Sequence, residues 1–412
     1  MRVPPFRMER MQSQYENYVD YNLSESGVAP MSVRELVGGS RSAGRLLETR
    51  LGYVQSNGGE ELRDRIAGFY DGARRDHVLV TNGGSEANYA TFWALLEPGD
   101  RVAFMVPNYM QTMGLAQAYA GRVDPFRLVL RRDRGRARWA LDRDSLDRAV
   151  TPGTRIVLVT NPNNPTGGIL DSEEMDAVVR AARRAGAWLV ADEIYRGAEV
   201  DGRTTPSFWG RYDRVLITSG LSKAFGLPGL RIGWVVGPPK VVQRLWSYRD
   251  YTTIAIGALS DHLATIALEP ARREAIFART RAIIRRNLPR VQAWLDGHDG
   301  LFEYVPPLAG AIVLARYGLK VPSVRFGEYL RTRHSVLVVP GDQLGIARHI
   351  RIGIGSDGAY TLRGLRRIDR AIDTMGGRGR DRSPARRLSG PARRRSGPAR
   401  RQGTRISAAP PR

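Results

Sequence analysis

Lys223 is the residue of this chain best placed to do chemistry. It stands in Ser219-Gly220-Leu221-Ser222-Lys223-Ala224-Phe225-Gly226-Leu227-Pro228-Gly229-Leu230-Arg231-Ile232-Gly233-Trp234, a glycine-rich stretch that joins the apolar runs 215–218 and 232–236. Short apolar runs bounded by glycine read as buried strands, which predicts Lys223 in a loop between two of them. A lysine in a polar loop is ordinarily solvated and idle. Here Arg231 follows eight residues later, across Gly226, Pro228 and Gly229. A primary amine can bond an aldehyde carbon, while a guanidinium at that spacing can hold a phosphate on the same small molecule.

Such groups need a scaffold, and the rest of the chain supplies one. Seven apolar runs, at 78–80, 102–106, 126–130, 156–159, 188–191, 215–218 and 232–236, are mostly bounded by Gly, Pro or Asn, with helical patterns at 87–96 and 175–185 between some of them. That alternation predicts a mostly parallel α/β sheet whose ligands gather at the carboxyl ends of the strands. After the first run, Asn82-Gly83-Gly84-Ser85 opens a helix. The amides of Gly84 and Ser85 and the Ser85 hydroxyl then form an anion site, although a tight turn and cap would use the same residues. Tyr109 closes Val106-Pro107-Asn108-Tyr109 after the second run. Its flat ring can stack on a heterocycle or simply pack.

Composition narrows the possibilities. The 412 residues contain no cysteine, so disulfides, iron–sulfur clusters and thiolate zinc sites are excluded. Five scattered histidines show no ligand spacing, and no metal is expected. The N-terminal residues lack the pattern of a signal peptide, and no run of about 18 apolar residues occurs, so the expectation is a soluble, cytoplasmic protein without a membrane partner. The formal charge is +23, yet residues 376–412 hold twelve arginines against one aspartate, and +11 of the charge lies there. This segment repeats Pro-Ala-Arg-Arg from 384, 391 and 398 and cannot bury apolar surface, so it is expected to be disordered. No nucleic-acid partner is expected beyond this tail.

The loop around Lys223 resembles the active-site loop of the pyridoxal-phosphate (PLP) enzymes of the class I/II aminotransferase family, the aspartate aminotransferase superfamily, in which the lysine of an S-K-x-x-G-L-P-G-L-R-I-G-W run forms the internal aldimine. Three further segments match in the family's order: Asn161-Pro162-Asn163-Asn164-Pro165-Thr166-Gly167, Asp192-Glu193-Ile194-Tyr195, and Arg351 within His349-Ile350-Arg351-Ile352-Gly353. The likeness covers roughly residues 20–370. It implies PLP as cofactor and fold type I, an α/β large domain with a mostly parallel seven-stranded sheet plus a smaller α+β C-terminal domain. By the same resemblance Lys223 is catalytic, Gly84, Ser85, Ser222 and Arg231 meet the phosphate, and Tyr109 lies on the pyridine face. Asn164 and Tyr195 donate to the ring hydroxyl oxygen. Asp192 keeps the ring nitrogen protonated, which makes the ring an electron sink. Arg351, with Asn164 and Gly27, is expected to hold the substrate α-carboxylate, since a planar guanidinium fits a carboxylate bidentately. Tyr53 matches a tyrosine that reaches the partner's cofactor phosphate, which implies a homodimer. The family often has serine three residues before the lysine; Gly220 stands there, leaving Ser219 and Ser222 as alternatives.

The expected organisation is an N-terminal arm at 1–45, extended rather than packed, a PLP-binding domain at 46–285, a small domain at 286–375 and the tail. The expected activity is transfer of an amino group between an L-amino acid and a 2-oxo acid. Residues 24–28 and 249–253 also resemble the capreomycidine-synthase branch, whose members cyclise a hydroxylated arginine. Glu25 is then the carboxylate nominated to meet the guanidinium. A non-catalytic regulator on the same fold is a remote alternative, because too few residues precede the Tyr53 loop to build a winged helix.

Overall fold

Continuous apolar runs can be buried on both faces only in the middle of a layered fold, and all seven runs form strands of one sheet. The structure, a computed structural model, describes residues 3–133 and 136–376. The arginine-rich tail beyond Gly376 lies outside the described residues. The strands are β1 (Val78–Thr81), β2 (Arg101–Val106), β3 (Arg122–Asp133), β4 (Arg136–Leu141), β5 (Thr154–Thr160), β6 (Trp188–Asp192), β7 (Val215–Gly220) and β8 (Gly233–Val236). They lie in the order β1-β8-β7-β6-β5-β2-β3-β4. Pairing is parallel from β3 through β7, while β8 runs antiparallel to both its neighbours. The sheet thus has eight strands where seven were expected. The additional one, β4, folds back along β3 at the edge. Arginine at its alternate positions 136 and 138 breaks the apolar run, as suits an edge strand that must not pair further.

Alternation along each strand divides the core. Leu79, Phe104, Leu158, Val190 and Leu216 enter the cluster on one face, while Val80, Ala103, Val157, Ala191 and Ile217 enter the other. Burial of one such large side chain is worth roughly 1.5–3 kcal/mol, so the two layers fix the sheet between them.

The N-terminal segment is not simply extended. Met8, Met11 and Tyr15 recur at helical spacing, and Arg7–Tyr15 forms a helix, α1, that buries Met8 and Gln12. The two anticipated helices are α2 (Gly84–Leu95) and α3 (Ser172–Ala185). A capping box between Asp171 and Glu174 starts α3, and Gly186 at φ 61° ends it. The long helix α4 (Pro270–Asp296) runs unbroken through residue 285. Beyond it β9 (Phe302–Tyr304), β10 (Ile312–Tyr317), β11 (Val339–Pro340) and β12 (His349–Gly353) form an antiparallel sheet ordered β9-β10-β12-β11. Among the described residues no helix is long and apolar enough to cross a membrane.

Candidate active site

The chain leaves β2 toward β3 but leaves β5 toward β6, so the loops at their carboxyl ends part and open a crevice. A cavity of about 260 Å³ lies there. Register sets its floor: Thr160 of β5 pairs with Asp192 of β6, which pairs with Thr218 of β7. All three line the cavity. Tyr109 arrives from the loop after β2, Asn164 from that after β5, and Tyr195 from that after β6. Burial raises the Asp192 carboxyl to about 6, against the opposing hydrogen bonds of the Ile194 amide and Asn88.

At one end, glycines bring backbone close to a cation. Gly83 has φ 87°, and a Cβ on it would lie 2.4 Å from Arg231 Nη2. A Cβ on Gly233 would lie 2.3 Å from the Gly83 carbonyl carbon, so β8 passes directly against this turn. The result sets the Arg231 guanidinium beside the first residues of α2, where Gly84 and Ser85 line the cavity and early helical amides lack intrahelical partners. Arg231 takes a left-handed φ of 53° and donates from Nη1 to Pro228 O at 3.1 Å. Serine could not replace Gly220, whose Cβ would come within 2.8 Å of Ile232 O. Ser219 and Ser222 both line the cavity.

Lys223 reaches the cavity from the loop after β7, and its Nζ donates to Glu25 Oε1 at 2.8 Å. The same oxygen accepts from the Ser26 and Gly27 amides at 2.8 and 2.9 Å. The Lys223 charge, aided by these hydrogen bonds and opposed by burial, holds the Glu25 carboxyl down at about 2. Burial lowers the Lys223 pKa, but the charges of Glu25 and Tyr195 outweigh it and the net shift is upward. Glu25 thus lies on the cavity wall against Lys223 with 48 % of its side chain exposed, and Lys223 is held as an ammonium.

Most of the expected site residues meet in this one cavity: Gly84, Ser85, Tyr109, Asn164, Asp192, Tyr195, Ser222, Lys223 and Arg231. Arg351 sits one layer behind and is 1 % exposed. It donates from Nη1 to Asn164 Oδ1 at 2.9 Å and from Nη2 to Ser24 O at 2.5 Å, leaving its buried Nε without a partner. Gly27 lies against Lys223, with its amide engaged by Glu25. Tyr53 is 89 % exposed and borders a separate groove with Leu51 and Leu259.

Several residues of the cavity were not anticipated. Helix α1 contributes Glu9 and Gln12, and Glu16 follows at its end. Gln12 Nε2 donates to Ser24 O at 3.1 Å, and Tyr109 Oη donates to Glu9 Oε2 at 3.1 Å. Phe6 meets the Tyr109 ring edge-on, with centroids 4.9 Å apart. Gln111 bridges Asn88 and Ser85 O. The spacing of Met8, Met11 and Tyr15 could have revealed α1 but not what it covers.

What these residues leave unsatisfied fits PLP. Tyr195, 3 % exposed, lines the cavity with its Oη buried, a phenol placed to meet a ring hydroxyl oxygen. Asp192 is a buried acid that an apposed cation, such as a protonated ring nitrogen, would hold ionised. Arg231 and the start of α2 form an anion cradle that a side chain at residue 83 would fill.

The sequence matches the family described as aminotransferase class I and II over residues 43–368. It is 34 % identical to capreomycidine synthase of Streptomyces vinaceus over 327 residues, covering 79 % of this chain and 82 % of that protein. Among solved structures, a PLP-dependent aminotransferase of Streptococcus suis superposes with a TM-score of 0.82 at 28 % identity, covering 91 % of this chain and 99 % of the other. A PLP-dependent cyclase, OrfR, superposes with a TM-score of 0.81 at 30 % identity, covering 91 % and 98 %.

Proposed function

Because this chain belongs to the class I and II aminotransferases, a family of PLP enzymes, we propose that it moves the amino group of a free L-amino acid to a 2-oxo acid. The observation that carries this reading is the assembly of Lys223, Asp192, Tyr195, Asn164 and Arg231 around one cavity. Arg231 with the Gly84 and Ser85 amides and a serine of the Lys223 loop would hold the phosphate. Tyr109 would cover the ring, Asn164 and Tyr195 would meet its hydroxyl oxygen, and Asp192 its nitrogen. When bound, PLP supplies an aldehyde that condenses with amines and a ring that accepts the electron pair left by a departing α-proton.

Lys223 does the proton work. Its neutral Nζ takes the proton from the substrate Cα and returns it within the same cavity, a contribution of about 10²- to 10⁴-fold. Neutral Nζ requires that the Glu25 ion pair be given up first. Arg351 orients the substrate by exchanging Asn164 Oδ1 for the α-carboxylate, which also satisfies its idle Nε.

A second reading retains the amino group and closes a ring at the substrate β-carbon, as suggested by the likeness to capreomycidine synthase and to the cyclase. Glu25, on the cavity wall against Lys223, favours it, because a carboxylate beside the base can receive a substrate cation. Cofactor-loaded protein given ordinary L-amino acids and a 2-oxo acid decides between them. Transfer yields a new 2-oxo acid and a newly aminated acceptor. If no donor is deaminated while a hydroxyarginine gives a cyclic product that keeps its nitrogen, transfer is refuted and cyclisation stands.

A further inference from the structure

Residues 249–253 take no part in the chemistry above, and the packing gives them another place. Arg249 ends the helix Pro239–Arg249 and is fully buried. Its Nε lies 3.5 Å from Oε2 of Glu86, a buried residue in the first turn of α2. The Thr252 and Thr253 hydroxyls donate to the other oxygen, Oε1, at 2.6 and 2.7 Å. Arg249 Nη1 also donates to Ser56 O, in the loop that carries Tyr53. The side chains of Glu86, Arg249, Thr252 and Thr253 all lie outside the cavity lining.

A carboxylate in the first turn of α2 could spoil an anion cradle in two ways, by capping the helical amides itself and by repelling the phosphate. Neither occurs here. Glu86 Oε2 turns back to accept from the Asn82 amide, ahead of the helix, so it does not occupy the amides of Gly84 and Ser85. Its charge is met from behind by the Arg249 guanidinium, and the two threonine hydroxyls add to that.

We propose that Arg249 is a positioning residue of the anion cradle: it cancels the charge of Glu86, so that a carboxylate can brace the turn before α2 without opposing the cofactor phosphate. The inference rests on the reading that this turn and Arg231 hold a phosphate, and it gives residues 249–253 a part in that hold. Charges shut away from water are weakly screened, so an unpaired Glu86 or an unpaired Arg249 is felt at Ser85, one residue from Glu86. An electrostatic role then predicts effects of opposite sign when one partner or the other is removed.

Titration of the cofactor-free protein with PLP and with phosphate-free pyridoxal, followed by absorbance, gives a ratio of affinities that isolates the phosphate. Glu86→Gln leaves Arg249 uncompensated and should raise the PLP-to-pyridoxal ratio about threefold or more, whereas Arg249→Met leaves Glu86 uncompensated and should lower it by as much. In E86Q/R249M the ratio should return toward the wild-type value. A merely structural loss lowers PLP affinity in both single variants, since each breaks the same ion pair. Shifts of the same sign in the two, or an unmoved ratio, overturn the inference. Glu86→Gln keeps the side-chain shape and decides the matter by itself where Arg249→Met does not fold, because a ratio that falls or stays constant in it refutes the role of Arg249. A wild type that binds PLP no more tightly than pyridoxal refutes the cradle as well, while a wild-type preference for PLP without the opposed shifts refutes this inference alone.

Discussion

At the scale of single residues the site is an exercise in opposed charges. Lys223 is held protonated by Glu25, although burial works the other way. A negative neighbour favours the ammonium, so removing it makes the neutral amine available at lower pH. Glu25→Gln should therefore shift the pH dependence of Lys223 acylation in the cofactor-free protein toward lower pH. A shift upward would show that Glu25 does not control this amine. Lys223→Ala should abolish turnover. In the wild type, borohydride reduction and peptide mapping should find the pyridoxyl mass on the Lys223 peptide, and label on another lysine would contradict the assignment.

At the scale of elements the site depends on close backbone approaches. Strand β8 presses on the turn before α2, and Gly233 is the point of contact. A methyl group there would meet backbone, which cannot swing aside as a side-chain end can, so Gly233→Ala should cost about 1–3 kcal/mol of stability in denaturant unfolding. Because the displaced turn carries the amides of Gly84 and Ser85, the same variant should bind PLP more weakly while changing its affinity for phosphate-free pyridoxal less. Equal losses for both ligands would place the defect elsewhere than at the phosphate. Helix α1 borders the cavity as well, since it brings Glu9 and Gln12, and Glu9 accepts from Tyr109.

At the scale of the whole molecule one expected residue finds no role within a single chain. Tyr53 is 89 % exposed and Leu51 80 %, beside a groove that also includes Leu259. Large apolar side chains grouped on a surface mark a place where another surface docks. A second copy of this chain docked here would cover these side chains, and we propose the homodimer that the Tyr53 resemblance implies. Light scattering should show a dimer at assay concentration, with Tyr53→Ala weakening PLP binding. A fully active monomer would refute this.

Much of the site was legible because its chemistry resides in residue types and short-range spacing. Lys223 with Arg231 and Gly84 with Ser85 were legible from residue type and spacing, Asn164, Asp192 and Tyr195 through the resemblance of their segments to the family, and the apolar runs determined where the strands lie and hence that these segments end at one edge of the sheet. The sequence did not disclose β4, because alternating arginines on an edge strand resemble a loop. Nor did it disclose the pairing of Glu25 with Lys223, which are 198 residues apart, or the covering of the cavity by α1. Those contacts depend on where long-range packing sets the N-terminal segment, and no local pattern encodes that distance. The placement of Arg351 behind Asn164 was likewise decided only when β12 took its place in the second sheet, since a guanidinium finds its partners through tertiary contacts rather than through its neighbours in the chain.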